Sequence, residues 1–245
     1  MKTMKEIAQE ANTDKLQNNY IEIYDKFLCH ARQEDINFLE IGVHKGHSAT
    51  LWNDYFEKAN IYMCDIFEKT GLLSHVPRVN FLHGDGSNPD NVERFMDTIE
   101  EQTGRRELDV ILDDGSHFQY DQMKGIGYWF PYLSKNGIYI IEDICREEAL
   151  RTGSMWWGDR SEPHHSVMGE CHWGSSLRSD EEWLAGPEKN CDHSTDATLK
   201  RFGETKIFDS AYLTEEQNKY ITDNIAGFHY FTPCTSRLVV IQKGG

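Results

Sequence analysis

Apolar and polar positions alternate along this chain with a period that switches repeatedly between that of a helix and that of a strand. From Ile7 to Arg32 apolar residues recur at helical spacing, with Ile21, Tyr24, Phe27 and Leu28 at three- and four-residue steps. Short apolar runs follow at Asn37–Ile41, Ile61–Asp65, Val79–Leu82, Asp109–Leu112 and Gly137–Ile141. Their length and continuity are those of strands buried on both faces. Helical stretches separate them, roughly Ser48–Phe56, Pro89–Gln102 and Gln119–Leu133. Alternation of this kind predicts a parallel sheet covered by helices on both faces. The end of the chain differs. Phe228–Phe231 and Arg237–Gln242 are joined by Thr232–Ser236, too short for a crossover helix, so these two runs are expected to pair antiparallel. The expectation is a seven-stranded, mostly parallel α/β sheet closed by a β-hairpin.

Between the fifth run and the hairpin lies Cys145–Asp196, rich in Trp, His, Gly and charge and without a clear period. A stretch this long inside a compact domain reads as a lid or acceptor-binding segment, with a surface insertion as the plainer alternative. Trp156, Trp157, Trp173 and Trp183 favour the first. His164, His165, Cys171, His172, Cys191 and His193 in the same region match no familiar zinc spacing. No linker or repeat divides the chain, so residues 1–245 read as one domain, with 1–35 as a helical cap.

Composition narrows the function. The 245 residues carry 25 Lys and Arg against 41 Asp and Glu, a net charge of −16. Such a balance disfavours nucleic acid or an anionic membrane as partner, since phosphate binding needs clustered Lys and Arg. No apolar run is long enough to span a bilayer and the first residues lack a signal core, which reads as a cytoplasmic protein. Six scattered cysteines without a CxxC pair read as reduced thiols.

Candidate chemistry gathers at strand ends. The first strand runs into Glu40-Ile41-Gly42-Val43-His44-Lys45-Gly46-His47-Ser48. Gly42 and Gly46 permit a sharp turn and close approach of a ligand, and the following helix start offers free N–H groups. A packing turn is the alternative. Asp65 ends the second strand, 23 residues past Gly42, where a carboxylate can accept from ribose hydroxyls. Asp85 sits in Gly84-Asp85-Gly86-Ser87 after the third strand, where it can accept from an adenine amino group. His44 and His47 read as exposed turn residues.

The fourth strand ends in Asp113-Asp114-Gly115-Ser116-His117 and the fifth in Glu142-Asp143. Neighbouring strands lie about 4.8 Å apart, so Asp114, Glu142 and Asp143 can reach one divalent cation, whose oxygen ligands sit at about 2.1 Å for Mg²⁺. Alternatively these acids cap helices and face water. His117, three residues past Asp114, is placed to take a proton from a hydroxyl held on such an ion.

The strings FLEIGVHKGHS, HGDGSN, DDGSH and IEDI, with Asp65, resemble the class I S-adenosylmethionine-dependent methyltransferases. They are most similar to the metal-dependent sugar O-methyltransferases of macrolide and other glycoside pathways. Thr13-Asp14-Lys15, Tyr20, Tyr24 and the terminal FHYF…RLVVIQK belong to the same likeness, whereas Cys145–Asp196 departs from it. The resemblance implies a Rossmann-like methyltransferase fold. It further implies that Glu40, Gly42, Gly46, Ser48, Asp65, Asp85 and Asp113 cradle S-adenosylmethionine. Asp114, Glu142 and Asp143 would hold Mg²⁺ or another divalent cation, and His117 would be the general base. The implied acceptor is a sugar or glycoside hydroxyl, and the implied assembly a homo-oligomer. A catechol or other vicinal diol is the alternative acceptor. A nicotinamide enzyme is disfavoured because the turn lacks GxGxxG spacing.

Overall fold

A computed structural model describes residues 1–147, 191–234 and 236–245. Seven strands form one sheet: β1 Asn37–Ile41, β2 Asn60–Asp65, β3 Val79–His83, β4 Leu108–Asp113, β5 Leu133–Ile144, β6 Ile225–Phe231 and β7 Arg237–Lys243. Their order is β3-β2-β1-β4-β5-β7-β6. The first five are parallel, and β7 runs antiparallel between β5 and β6. The hairpin therefore inserts its second strand against β5, which the apolar pattern alone did not specify.

Eight α-helices are described: α1 Met4–Ala11, α2 Ile21–Leu28, α3 His47–Tyr55, α4 Thr70–Leu73, α5 Pro89–Thr103, α6 Gln119–Trp129, α7 Thr195–Thr205 and α8 Glu215–Asn224. Two cores sandwich the sheet. One joins α1, α2 and α3 to Phe38, Met63, Leu112 and Ile140; the other joins α5 to α8 to Leu39, Cys64, Ile111 and Tyr139. Alternate residues of each strand thus feed opposite layers, as the pleat requires.

Three boundaries differ from the sequence reading. The helical stretch Ile7–Arg32 is two helices, because Asn12 adopts a left-handed conformation that ends α1 and Asp14–Leu16 forms a single 3₁₀ turn. The sixth helix ends at Trp129, followed by the 3₁₀ turn Phe130–Tyr132, where Pro131 cannot extend it. Asp196, assigned by pattern to the aperiodic segment, lies in the first turn of α7, capped by Ser194. The body of that segment, residues 148–190, with its four tryptophans and most of its His and Cys residues, lies outside the described residues. Among the described residues no helix is long and apolar enough to cross a membrane. Among the described residues Cys29, Cys64 and Cys234 form no disulfide.

Candidate active site

Register places the site. Ile41 of β1 pairs with Asp113 of β4, and Asp113 with Ile141 of β5. The next residue along each strand, Gly42, Asp114 and Glu142, therefore emerges from one row at the carboxyl edge of the sheet. Backbone bonds fix that row: Gly42 N–H donates to Cys64 O at 2.8 Å and Asp114 N–H to Ile41 O at 2.9 Å. Gly42 has φ +95°, and a Cβ there would lie 2.0 Å from the Asp114 carbonyl oxygen. Only glycine fits where the turn crosses the neighbouring strand.

Beyond the row opens a cavity of about 320 Å³, within the range of small-molecule sites. Gly42, Ser48, Asp65, Asp85 and Asp113 line it, together with Asp114 and His117. Glu40 and Gly46 stand behind its wall: both are buried, and the Glu40 carboxylate accepts from Ser48 Oγ at 2.7 Å. His44 and His47 are exposed at the rim. Asp65 braces the turn, its Oδ2 accepting from Val43 N–H at 3.0 Å and its Oδ1 from Phe67 N–H at 2.9 Å. A carboxylate has about four acceptor positions, so Asp65 retains capacity towards the cavity. Asp85 similarly receives Ser87 N–H and Oγ at 2.8 and 2.7 Å.

Asp113 and Asp114 part company because consecutive strand residues face opposite layers. Asp113 turns towards α6, where a Cβ on Gly125 would touch its Oδ2 at 3.2 Å. Burial pushes its carboxyl up to about 7, helped by Asp114 and Asp121 and opposed by the Gly115 N–H. The sign follows: with a folded value near 7 and an ordinary unfolded value near 4, the stability that protonated Asp113 provides is full below about pH 4. It is lost as pH rises through 7. Asp113→Asn should therefore gain stability over the wild type between pH 4 and pH 7 and hold a plateau above, about 4 kcal/mol at most. Urea midpoints across that range measure it, and a pH-independent difference would refute burial as the cause.

Four of the five acids at the β1, β4 and β5 ends form two adjoining clusters. Glu40, Asp114 and Glu142 present oxygens within 4.8 Å of one another, and so do the ligand atoms of Asp114, His117 and Asp143. Asp114 belongs to both. His117 Nε2 stands 3.8 Å from Asp114 Oδ1 and 3.8 Å from Asp143 Oδ2. Of the expected metal trio, then, Asp114 and Asp143 meet beside His117, while Glu142 faces Asp114 from the other side. In a regular strand Glu142 and Asp143 would point to opposite faces. A register shift between Ile141 and Ile144, with Asp143 at φ 48°, turns both towards the N-terminal helices. His117 is also left-handed, at φ 61°. Such backbone in non-glycine residues costs on the order of 1 kcal/mol each and is held by its surroundings.

The surroundings are donors that motif reading quoted without a role. Lys15 Nζ reaches Asp114 Oδ2 at 2.6 Å, Glu142 Oε1 at 2.7 Å and Glu40 Oε1 at 3.2 Å, and the side chain is 1% exposed. Tyr20 and Tyr24, one helical turn apart, donate their hydroxyls to Asp143 and Glu142. Ser236, beside β7, donates to Asp143 Oδ1 at 2.7 Å. Burial would lower the Lys15 ammonium, but the three carboxylates hold it well above its ordinary value. Burial raises Glu142 well above the carboxylate range and takes Glu40 to about 7, with Lys15 pulling both back. Crowded, desolvated acids of this kind are relieved by a cation, and their hard oxygens suit Mg²⁺. The residues present therefore fit a divalent ion.

A sheet ordered 3-2-1-4-5-7-6, with its cavity at the carboxyl ends of β1, β2 and β4, is the Rossmann-like fold of class I methyltransferases. The chain is a homologue of the sugar O-methyltransferases of macrolide and tetracenomycin pathways. It is 32% identical over 237 residues to L-olivosyl-oleandolide 3-O-methyltransferase of Streptomyces antibioticus, spanning 91% of this chain and 50% of that enzyme. It is also 32% identical over 130 residues to mycinamicin VI 2''-O-methyltransferase of Micromonospora griseorubida, 49% of this chain and 30% of that protein. The chain thus spans half or less of the length of these relatives. The structure of the MycE methyltransferase from the mycinamycin pathway, in complex with Mg, SAH and mycinamycin VI, superposes with a TM-score of 0.67 at 20% identity, covering 99% of this chain and 55% of that one. An O-methyltransferase from Bacillus cereus in complex with SAH gives 0.51 at 12% identity, covering 98% and 90%. No family model matches the chain.

Proposed function

We propose that this chain is an S-adenosylmethionine-dependent O-methyltransferase that requires a divalent cation and acts on a hydroxyl of a sugar or glycoside. The observation that carries this reading is the position of His117, with Nε2 equidistant from Asp114 and Asp143 on the wall of the strand-end cavity. Gly42, Ser48, Asp65, Asp85 and Asp113 line the space for the nucleoside cofactor, with Glu40 and Gly46 shaping the turn behind them. When bound, S-adenosylmethionine would supply an activated methyl group and a divalent ion would make the acceptor hydroxyl more acidic. Asp114, Glu142 and Asp143 would hold the ion, and His117 Nε2 would accept the acceptor's proton. The protein's own contribution is alignment and the exclusion of bulk water from a buried charge cluster.

Residues 1–245 act as a single methyltransferase domain, in which 1–35 form a helical cap and 145–196 serve as the lid or acceptor segment. The acceptor is a small molecule or glycan, and the protein is a cytoplasmic homo-oligomer that binds neither nucleic acid nor membrane. The acidic composition supports the absence of nucleic-acid and anionic-membrane partners, and the pathway relatives support the glycoside acceptor.

Titration calorimetry with S-adenosylhomocysteine is expected to show one site. Methylation of a panel of deoxysugar glycosides should stop in EDTA and return with Mg²⁺. No binding of S-adenosylhomocysteine, or turnover undiminished in EDTA, would overturn the reading, and a preference for catechols would move the acceptor to aromatic diols.

A further inference from the structure

A lysine as buried as Lys15 is rare unless its charge is used. Its ammonium touches oxygens from the ends of three different strands, and Asp114 divides its two oxygens between the clusters: Oδ2 to Lys15, Oδ1 towards His117. On the inner side, Glu40 and Glu142 do not line the cavity and Tyr24 closes over Glu142, whereas the other, outer cluster meets the cavity through Asp114 and His117. Electrostatics alone would draw a divalent ion to the inner three carboxylates, where no acceptor could reach it.

We propose that Lys15 is a positioning residue that acts as a fixed monovalent cation: it fills the inner half of the acidic cluster and confines the divalent ion to the outer half, beside His117. The inference rests on the divalent-ion reading given above. A cation already in place repels a second one entering the inner nest, and its contacts hold Asp114 with Oδ1 presented outward. Glu40 extends the same arrangement to the cofactor side, since its other oxygen is held by Ser48 of α3. Glu142 is shared: its Oε1 meets the ammonium at 2.7 Å, and it remains one of the acids that would hold the ion. A lysine in this place sets where the metal sits and how tightly, without touching substrate.

Mn²⁺ binding followed by electron paramagnetic resonance, with no cofactor or acceptor present, tests this. Lys15→Met removes the charge and keeps the stem, so Mn²⁺ should bind at least about tenfold more tightly. At the same time kcat should fall, and the Mg²⁺ concentration for half-maximal rate should fall with it. A lysine with only a structural role predicts weaker metal binding instead. Equal or weaker Mn²⁺ binding by folded Lys15→Met overturns the proposal while leaving the metal reading intact; wild-type protein that binds no Mn²⁺ overturns both. Should Lys15→Met not fold, the wild type decides by magnetic resonance. The ¹⁵N signal of the Lys15 ammonium should persist and broaden on Mn²⁺ addition, and a signal that is unaffected overturns the proposal.

Discussion

His117→Asn is expected to lower kcat by about 10² to 10⁴, the range for loss of a positioned base, while S-adenosylhomocysteine should bind with unchanged affinity. Asparagine is the appropriate replacement because His117 holds φ 61°, a conformation that asparagine tolerates better than alanine. Its amide cannot take the proton, yet it fills much of the same space against Asp114 and Asp143. Steady-state rates at saturating acceptor and cofactor, paired with calorimetry, separate chemistry from binding. A rate within a few-fold of wild type would remove His117 from the reaction. A loss of cofactor affinity as large as the loss of rate would recast it as part of the pocket wall.

Gly42→Ala is expected to destabilise the fold by about 3 to 4 kcal/mol, combining left-handed backbone strain with overpacking. The added methyl meets the Asp114 backbone at 2.0 Å, an atom that the β1–β4 register prevents from moving away. Because Asp114 follows the register, the same change displaces the acidic cluster, and metal-dependent turnover should be lost even where the variant folds. Gly46→Ala is the control. Its Cβ would meet Leu72 side-chain carbons at 3.3 Å, so the cost there reduces to strain at φ +74°, about 1 to 2 kcal/mol. Urea midpoints of the two variants give the comparison; equal losses would mean that the crossing of the turn over β4 is not what the glycine serves.

Much of the sheet is legible in the sequence because both-face burial leaves continuous apolar runs. The hairpin at Phe228–Gln242 is legible because its connection is too short for anything else. The strand-end acids can be read for the same reason: Asp65, Asp114 and Glu142 interrupt apolar runs just where a parallel sheet presents its carboxyl edge. What cannot be read is partnership. Nothing in the spacing of Thr13-Asp14-Lys15 distinguishes a buried lysine from a solvated one, since Lys15 is separated from Glu142 by 127 positions. The bulge at Asp143 is equally silent, being set by the β5–β7 pairing. Helix α8 escapes for a simpler reason. Of its ten residues only Ile221 is buried, too thin a stripe to register as a period.

The donors around the acids also impose an order of assembly. Lys15, Tyr20 and Tyr24 leave the ribosome long before Asp114 and Glu142, and Ser236, which closes on Asp143, comes 93 residues after it. The pocket's ionic heart is therefore among the last things the nascent polypeptide can complete. Contacts of such long sequence separation are slow to form, and until they do an unneutralised knot of negative charge is left at the sheet edge. Early intermediates should be held open by that repulsion, so added salt or Mg²⁺ would hasten the final collapse of the chain.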